Sequence, residues 1–298
     1  MVKIYKTLVC ILLVSSCLLF SGCFERASDG VKEDAKVIYT TNYPLAYFAE
    51  RIVGDAYEVV FPEIDGDPAF WKPGPAQIAD FQTANWILIN GADYEKWLHA
   101  VSLPVSKTVN TSRGFKDRYI HVDGTGMHSH GNGEMHSHGA IAFTTWIDMR
   151  LAIQQASVID EKLELTDTGY VDLKRDLLDL DARIKDAFTP FRGKFIIGSH
   201  PVYQYLARRY GLSMESVHWE PDVIPGAEQL KELDDLLSNR ESKIMLWEGE
   251  PLAETKALLS GRGIECVVFD PCGNRPAEGD FMTVMESNIA NLIQFSAQ

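Results

Sequence analysis

Apolar residues occur along this chain in two kinds of segment. Short runs rich in β-branched and aromatic residues, bounded by turn-forming residues, are typical of strands buried on both faces. Apolar positions that recur every three or four residues are typical of helices that cover a sheet. The strand-like runs occupy residues 37–41, 57–61, 86–91, 194–198, 243–247 and 265–269, and the helix-like segments occupy residues 45–53, 201–210, 227–237, 253–259 and 281–295. This alternation predicts an α/β fold with parallel-type sheets and crossover helices.

A longer helical segment separates the two groups of strands. Its apolar positions are spaced by four, three, four and four residues and share one helix face: Leu173, Leu177, Leu180, Ile184 and Phe188. Pro190 marks its end. A helix of about 20 residues is about 30 Å long, which is enough to run beside two domains. We therefore expect a first lobe at residues 37–165, a rigid linking helix within residues 166–190 and a second lobe at residues 191–298.

The first residues have the features of an export signal. Two lysines precede an apolar stretch of about 14 residues, which is the length of a signal-peptide core and short for a membrane span. Residues 19–23 resemble a bacterial lipobox that ends at Cys23, although Phe20 stands where that pattern prefers leucine. We expect residues 1–22 to be a lipoprotein signal peptide, Cys23 to be lipidated and residues 23–36 to form a flexible tether. A transmembrane anchor is the alternative.

The charge of the chain excludes some classes of partner. It has 42 acidic and 28 basic side chains, and removing the signal peptide with Lys3 and Lys6 changes the net charge from −14 to −16. A nucleic-acid-binding protein needs a basic surface, and so does a protein that docks on anionic lipid through its own residues. We therefore expect no nucleic-acid partner, whereas a cationic ligand is compatible with this charge.

The five cysteines are too few for a disulfide scaffold. Cys10 and Cys17 belong to the predicted signal peptide, and Cys23 is the lipidation candidate. Only Cys266 and Cys272 remain in the body of the exported chain. Because Cys266 lies within a predicted strand, which would hold the two sulfur atoms apart, we expect these two cysteines to be unpaired.

Four of the eight histidines lie in a glycine-rich loop at residues 124–139. They form two His-Ser-His units, His128 with His130 and His136 with His138. Glycine leaves the backbone free enough for these imidazoles to gather around an ion, and imidazole suits Zn, Cu, Ni and Fe rather than Mg or Ca. The loop is therefore predicted to bind metal, with a solvated or pH-sensing loop as the alternative. A zinc hydrolase is disfavoured because the chain has no His-Glu-x-x-His motif.

Short motifs along most of the exported chain resemble those of one protein family. They lie at residues 41–45, 67–73, 84–91, 95–97, 199–200, 205–207, 210–212, 250–251 and 270–271. In these segments the chain resembles the ZnuA/TroA-type solute-binding proteins of bacterial zinc and manganese ABC importers. The resemblance implies two lobes joined by a rigid helix, with a metal site in the cleft between the lobes. It also implies delivery of the ion to a membrane permease that a cytoplasmic ATPase powers.

The resemblance further implies four metal ligands in the cleft, two from each lobe. His200 and Asp270 match the second-lobe pair. Ala69 and Thr144 stand where the family has the two first-lobe histidines, and one histidine with one aspartate is an incomplete shell for zinc. His218, next to a tryptophan, is expected to pack against its neighbours or to face solvent.

Three arrangements would complete or replace this site. In the first, the histidine loop, which ends shortly before the second substituted position, brings His136 or His138 into the cleft. In the second, Glu248 contributes a carboxylate or Cys272 a thiolate. In the third, the cleft binds something other than a bare metal ion. The first arrangement is preferred because it also accounts for the presence of the loop.

Together these features predict a lipid-anchored, extracytoplasmic zinc-binding protein, at the periplasmic or cell surface, that feeds an ABC importer. We expect a monomer without enzymatic activity. Manganese is the weaker candidate because it favours oxygen ligands over clustered imidazole. Affinity should fall below about pH 6, where imidazole takes up a proton. The alternatives are a surface zinc-sequestering or adhesin-like protein that kept the fold without transport, and a metal-dependent enzyme.

Overall fold

The computed structural model describes residues 36–122, 127–129, 135–137, 141–166 and 168–297. The predicted signal peptide, the lipidation candidate Cys23, and the loop residues His130 and His138 lie outside these ranges. No helix within the described ranges is long and apolar enough to cross a membrane.

A parallel sheet of four strands forms the first half of the described chain. Its strands are β1 (Val37–Thr40), β2 (Glu58–Val60), β3 (Trp86–Ile89) and β4 (Thr108–Asn110), in the spatial order β2-β1-β3-β4. Helices α1 (Tyr43–Val53) and α2 (Pro75–Thr83) connect successive strands. Asn42 caps α1, because its side chain accepts a hydrogen bond from the Leu45 amide at 3.1 Å. Asn42 thus ends the turn from β1 and starts α1, and it is itself buried.

A hairpin and two helices follow β4. Strands β5 (Met127–Ser129) and β6 (Met135–Ser137) pair antiparallel, with His128 opposite His136. An isolated bridge joins His121 to Ile141 at the base of this hairpin. The helices are α3 (Met149–Leu163) and α4 (Tyr170–Ala187), and α4 is the linking helix that the apolar spacing predicts.

A second parallel sheet of four strands contains β7 (Phe195–Gly198), β8 (Ser213–Ser216), β9 (Ile244–Trp247) and β10 (Glu265–Val268), in the order β10-β9-β7-β8. Helices α5 (Gln204–Tyr210), α6 (Ala227–Leu237) and α7 (Ala253–Ser260) connect successive strands, and α8 (Phe281–Ser296) follows β10. Every residue of β9 is buried, as expected for a central strand of a parallel sheet. The predicted α/β fold with parallel sheets is confirmed.

The linking helix α4 packs against helices from both halves of the chain. It contacts α1 and α3 before it and α8 after it. Its apolar face is fully buried, as the spacing predicts: Leu173, Leu177, Leu180 and Ile184. At its start, the Gly169 amide donates to the Ile52 carbonyl at 3.1 Å. A Cβ atom on Gly169 would lie 1.9 Å from the Arg51 carbonyl oxygen, so only glycine permits this close approach.

One buried carboxylate on α4 joins elements from both halves. Asp181 accepts hydrogen bonds from Nε of Arg150 on α3 at 3.0 Å and from Nε of Arg209 on α5 at 2.8 Å. The Tyr210 hydroxyl donates to it at 3.3 Å. Burial raises the pKa of Asp181, but the two arginines outweigh that effect and hold it below its usual value. The carboxylate is therefore charged in the fold and ties α3, α4 and α5 together.

The sequence patterns did not predict four elements of the sheets and their surroundings, namely β4, β8, α2 and α3. β4 and β8 are edge strands of three and four residues with mostly polar side chains, so they lack a continuous apolar run. α2 buries only Phe81 and therefore gives a weak periodic signal. α3 has a regular apolar face, which its residue spacing could have revealed.

Asp181→Asn should lower the free energy of unfolding by about 2 kcal/mol, because it removes the charged acceptor that two arginines share. Denaturant unfolding followed by circular dichroism measures the change. Asp179→Asn on the same helix is the control. The Asp179 side chain is 70% exposed and lies 3.9 Å from Arg183, so its neutralisation should cost less than about 0.5 kcal/mol. Equal losses in the two variants would show that the Asp181 contacts do not stabilise the fold.

Candidate functional site

Loops at the carboxyl ends of strands from both sheets meet at one cavity of about 130 Å³. Its wall includes residues that follow β2, β3, β9 and β10, respectively: Asp67, Tyr94, Glu248 and Asp270. The segment 143–146, which precedes α3, contributes Phe143, Thr144 and Trp146. Open parallel sheets bind ligands beyond the carboxyl ends of their strands. This cavity is therefore the candidate ligand site.

His200 lies beside the cavity, in the loop after β7, and its side chain is only 3% exposed. Its Nε2 atom is 3.6 Å from Oε1 of Glu220, and its Nδ1 atom is 3.9 Å from Oε1 of Glu248. The His218 ring meets the His200 ring edge-on, with 5.9 Å between the ring centres. The structure therefore places the predicted ligand His200 between two carboxylates, with His218 packed against it.

Three carboxylates around the cavity act on Glu248. Glu248 has a pKa well above its usual value, first because of burial. The negative charges of Asp67, Glu220 and Asp270 raise it further. Burial also raises the pKa of Asp270, although its Oδ1 atom accepts a hydrogen bond from the Cys272 amide at 2.6 Å. The described residues that line the cavity include no lysine or arginine, so a bound cation would relieve this repulsion.

The first-lobe positions that the resemblance assigns to histidine carry no metal-binding side chain. Ala69 and Thr144 are both buried, and the Thr144 hydroxyl donates to the Val202 carbonyl on the other side of the cleft. No three His, Cys, Asp or Glu side chains in the described part of the chain are grouped so that they could hold a metal ion. The second-lobe residues His200, Glu248 and Asp270 thus lie near one another, but they do not form a complete shell in this conformation.

Cys272 is buried near Asp270. Its sulfur lies 3.9 Å from the Asn274 carbonyl oxygen, and it is not among the described residues of the cavity wall. Burial raises the pKa of its thiol, and the charges of Asp270 and Asp280 add to the effect, which opposes the thiolate that zinc requires. Cys266 and Cys272 form no disulfide, as expected.

A buried hydrogen-bond network holds the loop after β3 in the cavity wall. The Glu95 carboxylate accepts hydrogen bonds from the Thr41 hydroxyl and the Asn90 amide, both at 2.5 Å. Its second oxygen accepts from the Gly91 amide at 3.0 Å. The Asn90 side chain in turn donates to the Phe143 carbonyl at 3.0 Å. Burial nevertheless raises the pKa of Glu95 to about 7, because the hydrogen bonds only partly offset the loss of hydration.

The turn that carries Tyr94 is strained. Gly91, Ala92 and Asp93 all have positive φ angles, of 74°, 52° and 62°, and only glycine adopts such angles at low cost. A Cβ atom on Gly91 would also lie 2.3 Å from Oδ1 of Asn110. The Glu95 network therefore holds the turn against this strain and keeps Tyr94 in the cavity wall.

Sequence reasoning did not single out three residues of the site: Asp67, Tyr94 and Glu220. Asp67 lies within a motif that carries the family resemblance, but the resemblance directs attention to the missing histidines instead. Tyr94 lies in the turn between two such motifs. Glu220 follows β8, a strand that the apolar pattern did not reveal. Their position in the sequence could have indicated them, because polar residues that follow parallel strands gather at one edge of the sheet.

The histidine hairpin begins and ends beside the cleft. Its register pairs His128 with His136. Ile141, at the base of the hairpin, is two residues from Phe143 in the cavity wall. On the other strand of the base, the Ile120 amide donates to the hydroxyl of Tyr205 on α5 at 3.3 Å.

Comparison with known proteins identifies the family. The sequence profile of ZnuA, described as zinc-uptake complex component A, periplasmic, matches residues 38–295. The chain belongs to this family. The family membership expected from the short motifs is thereby confirmed.

Relatives of this ZnuA-family chain carry both zinc and manganese in their names. Zinc-binding lipoprotein AdcA of Streptococcus pneumoniae is 26% identical over 314 residues, covering 97% of this chain and 61% of AdcA. High-affinity zinc uptake system protein ZnuA of Bacillus subtilis is 26% identical over 260 residues, covering 80% of this chain and 78% of that protein. Manganese ABC transporter substrate-binding lipoprotein PsaA of Streptococcus mitis is 23% identical over 255 residues, covering 77% of this chain and 76% of that protein. The chain spans less than two thirds of the length of AdcA.

Solved structures of other proteins share the fold. The Zn(II)-bound ZnuA-like domain of Streptococcus pneumoniae AdcA matches with a TM-score of 0.69 at 20% identity, covering 89% of this chain and 100% of that domain. The metal-dependent lipoprotein YcdH from Bacillus subtilis also matches with a TM-score of 0.69 at 22% identity, covering 87% of this chain and 98% of YcdH. The two-sheet α/β architecture of this chain is therefore that of its family.

Glu95 should make this ZnuA-family fold less stable as the pH rises from about 5 to about 8. Its folded-state pKa of about 7 exceeds the ordinary value of about 4.3. The folded chain therefore holds this proton more tightly than the unfolded chain, and the resulting stability is lost as the pH passes through the folded-state pKa. The loss should not exceed about 3 kcal/mol.

Urea unfolding at several pH values measures this effect. Glu95→Gln should flatten the decline in unfolding free energy between about pH 5 and about pH 8, because the amide does not titrate. Glu63→Gln, at an exposed glutamate, is the control and should keep the wild-type slope. If the wild-type and Glu95→Gln curves run parallel, Glu95 is not the group responsible.

Proposed function

We propose that the chain is an extracytoplasmic substrate-binding protein that captures Zn²⁺ in the cleft and delivers it to the permease of an ABC importer, powered by a cytoplasmic ATPase. The observation that carries the proposal is His200, a buried imidazole with Glu220 at 3.6 Å and Glu248 at 3.9 Å. An imidazole with a carboxylate at each ring nitrogen can give zinc one nitrogen ligand and one carboxylate ligand, while the other carboxylate orients the ring. The zinc-uptake family and the zinc-named relatives support the same cargo.

Zinc is proposed over manganese on two grounds. For a given set of nitrogen and oxygen donors, divalent zinc binds more tightly than divalent manganese. The chain also carries four histidines in the hairpin loop in addition to His200, and imidazole suits zinc, whereas manganese favours oxygen ligands. Both the cleft and the loop therefore favour the same ion.

Capture of the ion requires little movement of the two lobes. Hydrogen bonds already cross the cleft, from Nε1 of Trp146 to the Pro271 carbonyl at 2.7 Å and from the Asn274 side chain to the Ile64 carbonyl at 2.8 Å. The ion brings two positive charges to a cavity lined by carboxylates. It should stabilise the conformation in which these carboxylates approach it, because a ligand favours the state that completes its shell.

The histidine hairpin and the proposed lipid anchor serve the same function. The hairpin would collect zinc at the rim of the cleft, since its base lies next to the cavity wall at Phe143. A lipid on Cys23 would hold a monomeric protein at the membrane that contains the permease.

His200→Ala should lower the affinity for zinc by more than about 100-fold, which exceeds the usual loss when an outer-shell partner of a metal ligand is removed. Glu248→Gln should lower it as well. Competition of the full-length chain, purified in mild detergent, against a zinc-binding dye measures the affinity. His99→Ala is the control, because the His99 side chain is 79% exposed and lies 3.4 Å from Asp93, which is not among the described residues of the cavity wall. Unchanged affinity in both cleft variants would show that the cleft is not the zinc site.

Deleting residues 127–138 should remove the weakly bound zinc ions and leave one tightly bound ion. The reason is that the hairpin is proposed to collect zinc rather than to supply ligands in the cleft. Calorimetric titration of the full-length chain with Zn²⁺ gives both the stoichiometry and the affinity. Loss of the tight site in this variant would instead place His136 or His138 in the cleft, as the sequence expectation has it.

A further inference from the structure

Two first-lobe residues with polar side chains line the cavity, whereas the imidazoles that the family resemblance implies are missing. Asp67 and Tyr94 both line the cavity. Tyr94 is 2% exposed, and its hydroxyl has no hydrogen-bond partner among the described residues. An unpaired buried hydroxyl costs about 1–3 kcal/mol. The fold therefore holds a polar group in the cavity wall that a bound ligand or its water would satisfy.

Packing fixes Tyr94 in this position. Its ring meets the rings of Phe143 and Trp146 edge-on, with 5.3 Å and 5.7 Å between ring centres. The strained turn at residues 91–93 and the Glu95 network hold its backbone. Strained turns persist where the surroundings over-determine them, and they cluster at ligand sites. Tyr94 is close enough to Asp67 for the negative charge of Asp67 to act on its hydroxyl.

Asp67 is held at the mouth of the cavity from both lobes. Its Oδ1 atom accepts a hydrogen bond from the Ala69 amide at 2.8 Å, which fixes the carboxylate at the start of a short helical turn. From the second lobe, the Asn274 side chain donates to the carbonyls of Ile64 and Gly66 at 2.8 Å and 3.1 Å. The first lobe therefore fixes the carboxylate, and the second lobe holds the segment just before it. The charge of Asp67 also raises the pKa of Glu248 in the second lobe.

We propose that Asp67 and Tyr94 form the first-lobe half of the cation site, opposite the second-lobe donors. Asp67 supplies a carboxylate ligand, and the Tyr94 hydroxyl donates a hydrogen bond to a water molecule that the ion retains. The cavity of about 130 Å³ has room for such water, since one water occupies about 30 Å³. The ligand class is a partly hydrated divalent metal cation. This inference rests on the proposed function, because it names residues that hold the same ion.

Two nearly isosteric substitutions test the proposal on the full-length chain in mild detergent, with Zn²⁺ alone as the probe. Asp67→Asn removes the charge, and Tyr94→Phe removes only the hydroxyl. Each should weaken zinc binding by at least about tenfold. Asp65→Asn and Tyr57→Phe are matched controls, since Asp65 is exposed, Tyr57 is half-buried and neither is among the described residues of the cavity wall. Both controls should bind zinc as the wild type does.

Thermal unfolding and the visible spectrum of bound Co²⁺ separate a binding role from a structural one. The Co²⁺ spectrum of Asp67→Asn and Tyr94→Phe should differ from the wild-type spectrum, because the ligands or waters around the ion change. A variant that is only less stable would unfold at a lower temperature and keep the wild-type spectrum. That result would overturn the proposal for the residue concerned.

The remaining outcomes distinguish this inference from the proposed function. If Asp67→Asn and Tyr94→Phe bind zinc normally while His200→Ala does not, the inference is wrong and the proposed function stands. If all of these variants, including Glu248→Gln, bind zinc normally, the proposed function fails as well. If Asp65→Asn loses as much affinity as Asp67→Asn, general surface charge explains the effect and the inference is overturned.

Discussion

Repulsion among carboxylates is the constraint on which the arrangement of the cleft depends. Burial raises the pKa of Glu248, and Asp67, Glu220 and Asp270 lie close enough for their charges to raise it further. The described residues of the cavity wall include no lysine or arginine to balance them. Taking such charges out of water is costly unless a proton or a counter-ion compensates them. The cleft is therefore suited to receive positive charge, and this conclusion does not depend on which cation arrives.

Rigid surroundings prevent the carboxylates from moving apart. Asp181 ties the linking helix α4 to α3 and α5, and Glu95 holds the turn after β3. Trp146 and Asn274 donate hydrogen bonds from one lobe to the other beside the cavity. Displacing these groups would leave hydrogen-bonding groups unpaired, at a cost of about 1–3 kcal/mol for each one that is buried. Because the walls are held in this way, protonation or a bound cation is the remaining means of relieving the repulsion.

Burial on both faces decides how much of this structure can be predicted from sequence. Strands such as β7 and β9, and the apolar face of α4, give a continuous or periodic signal, whereas the edge strands β4 and β8 bury too little to give one. At the site, His200 and Asp270 were found because they lie in recognisable motifs. Asp67 and Tyr94 were not, because the loops that carry them meet only in three dimensions. No local sequence pattern predicts the positive φ angle of Ala92. This angle belongs to the turn that places Tyr94 in the cavity wall.

The oxygen-rich cleft and the histidine hairpin are best understood together. Under the proposed function, a cleft with one imidazole and several carboxylates holds zinc less tightly than a cleft with several imidazoles, because imidazole is the better-suited donor. A donor segment tethered beside the cleft compensates, since a short tether keeps its bound ion at an effective concentration of the order of 1 mM. The hairpin returns to the cavity wall two residues before Phe143, which is a tether of that kind. On that proposal, the hairpin captures the ion from dilute solution and the cleft presents it to the permease, because the weaker affinity of the cleft makes release easier.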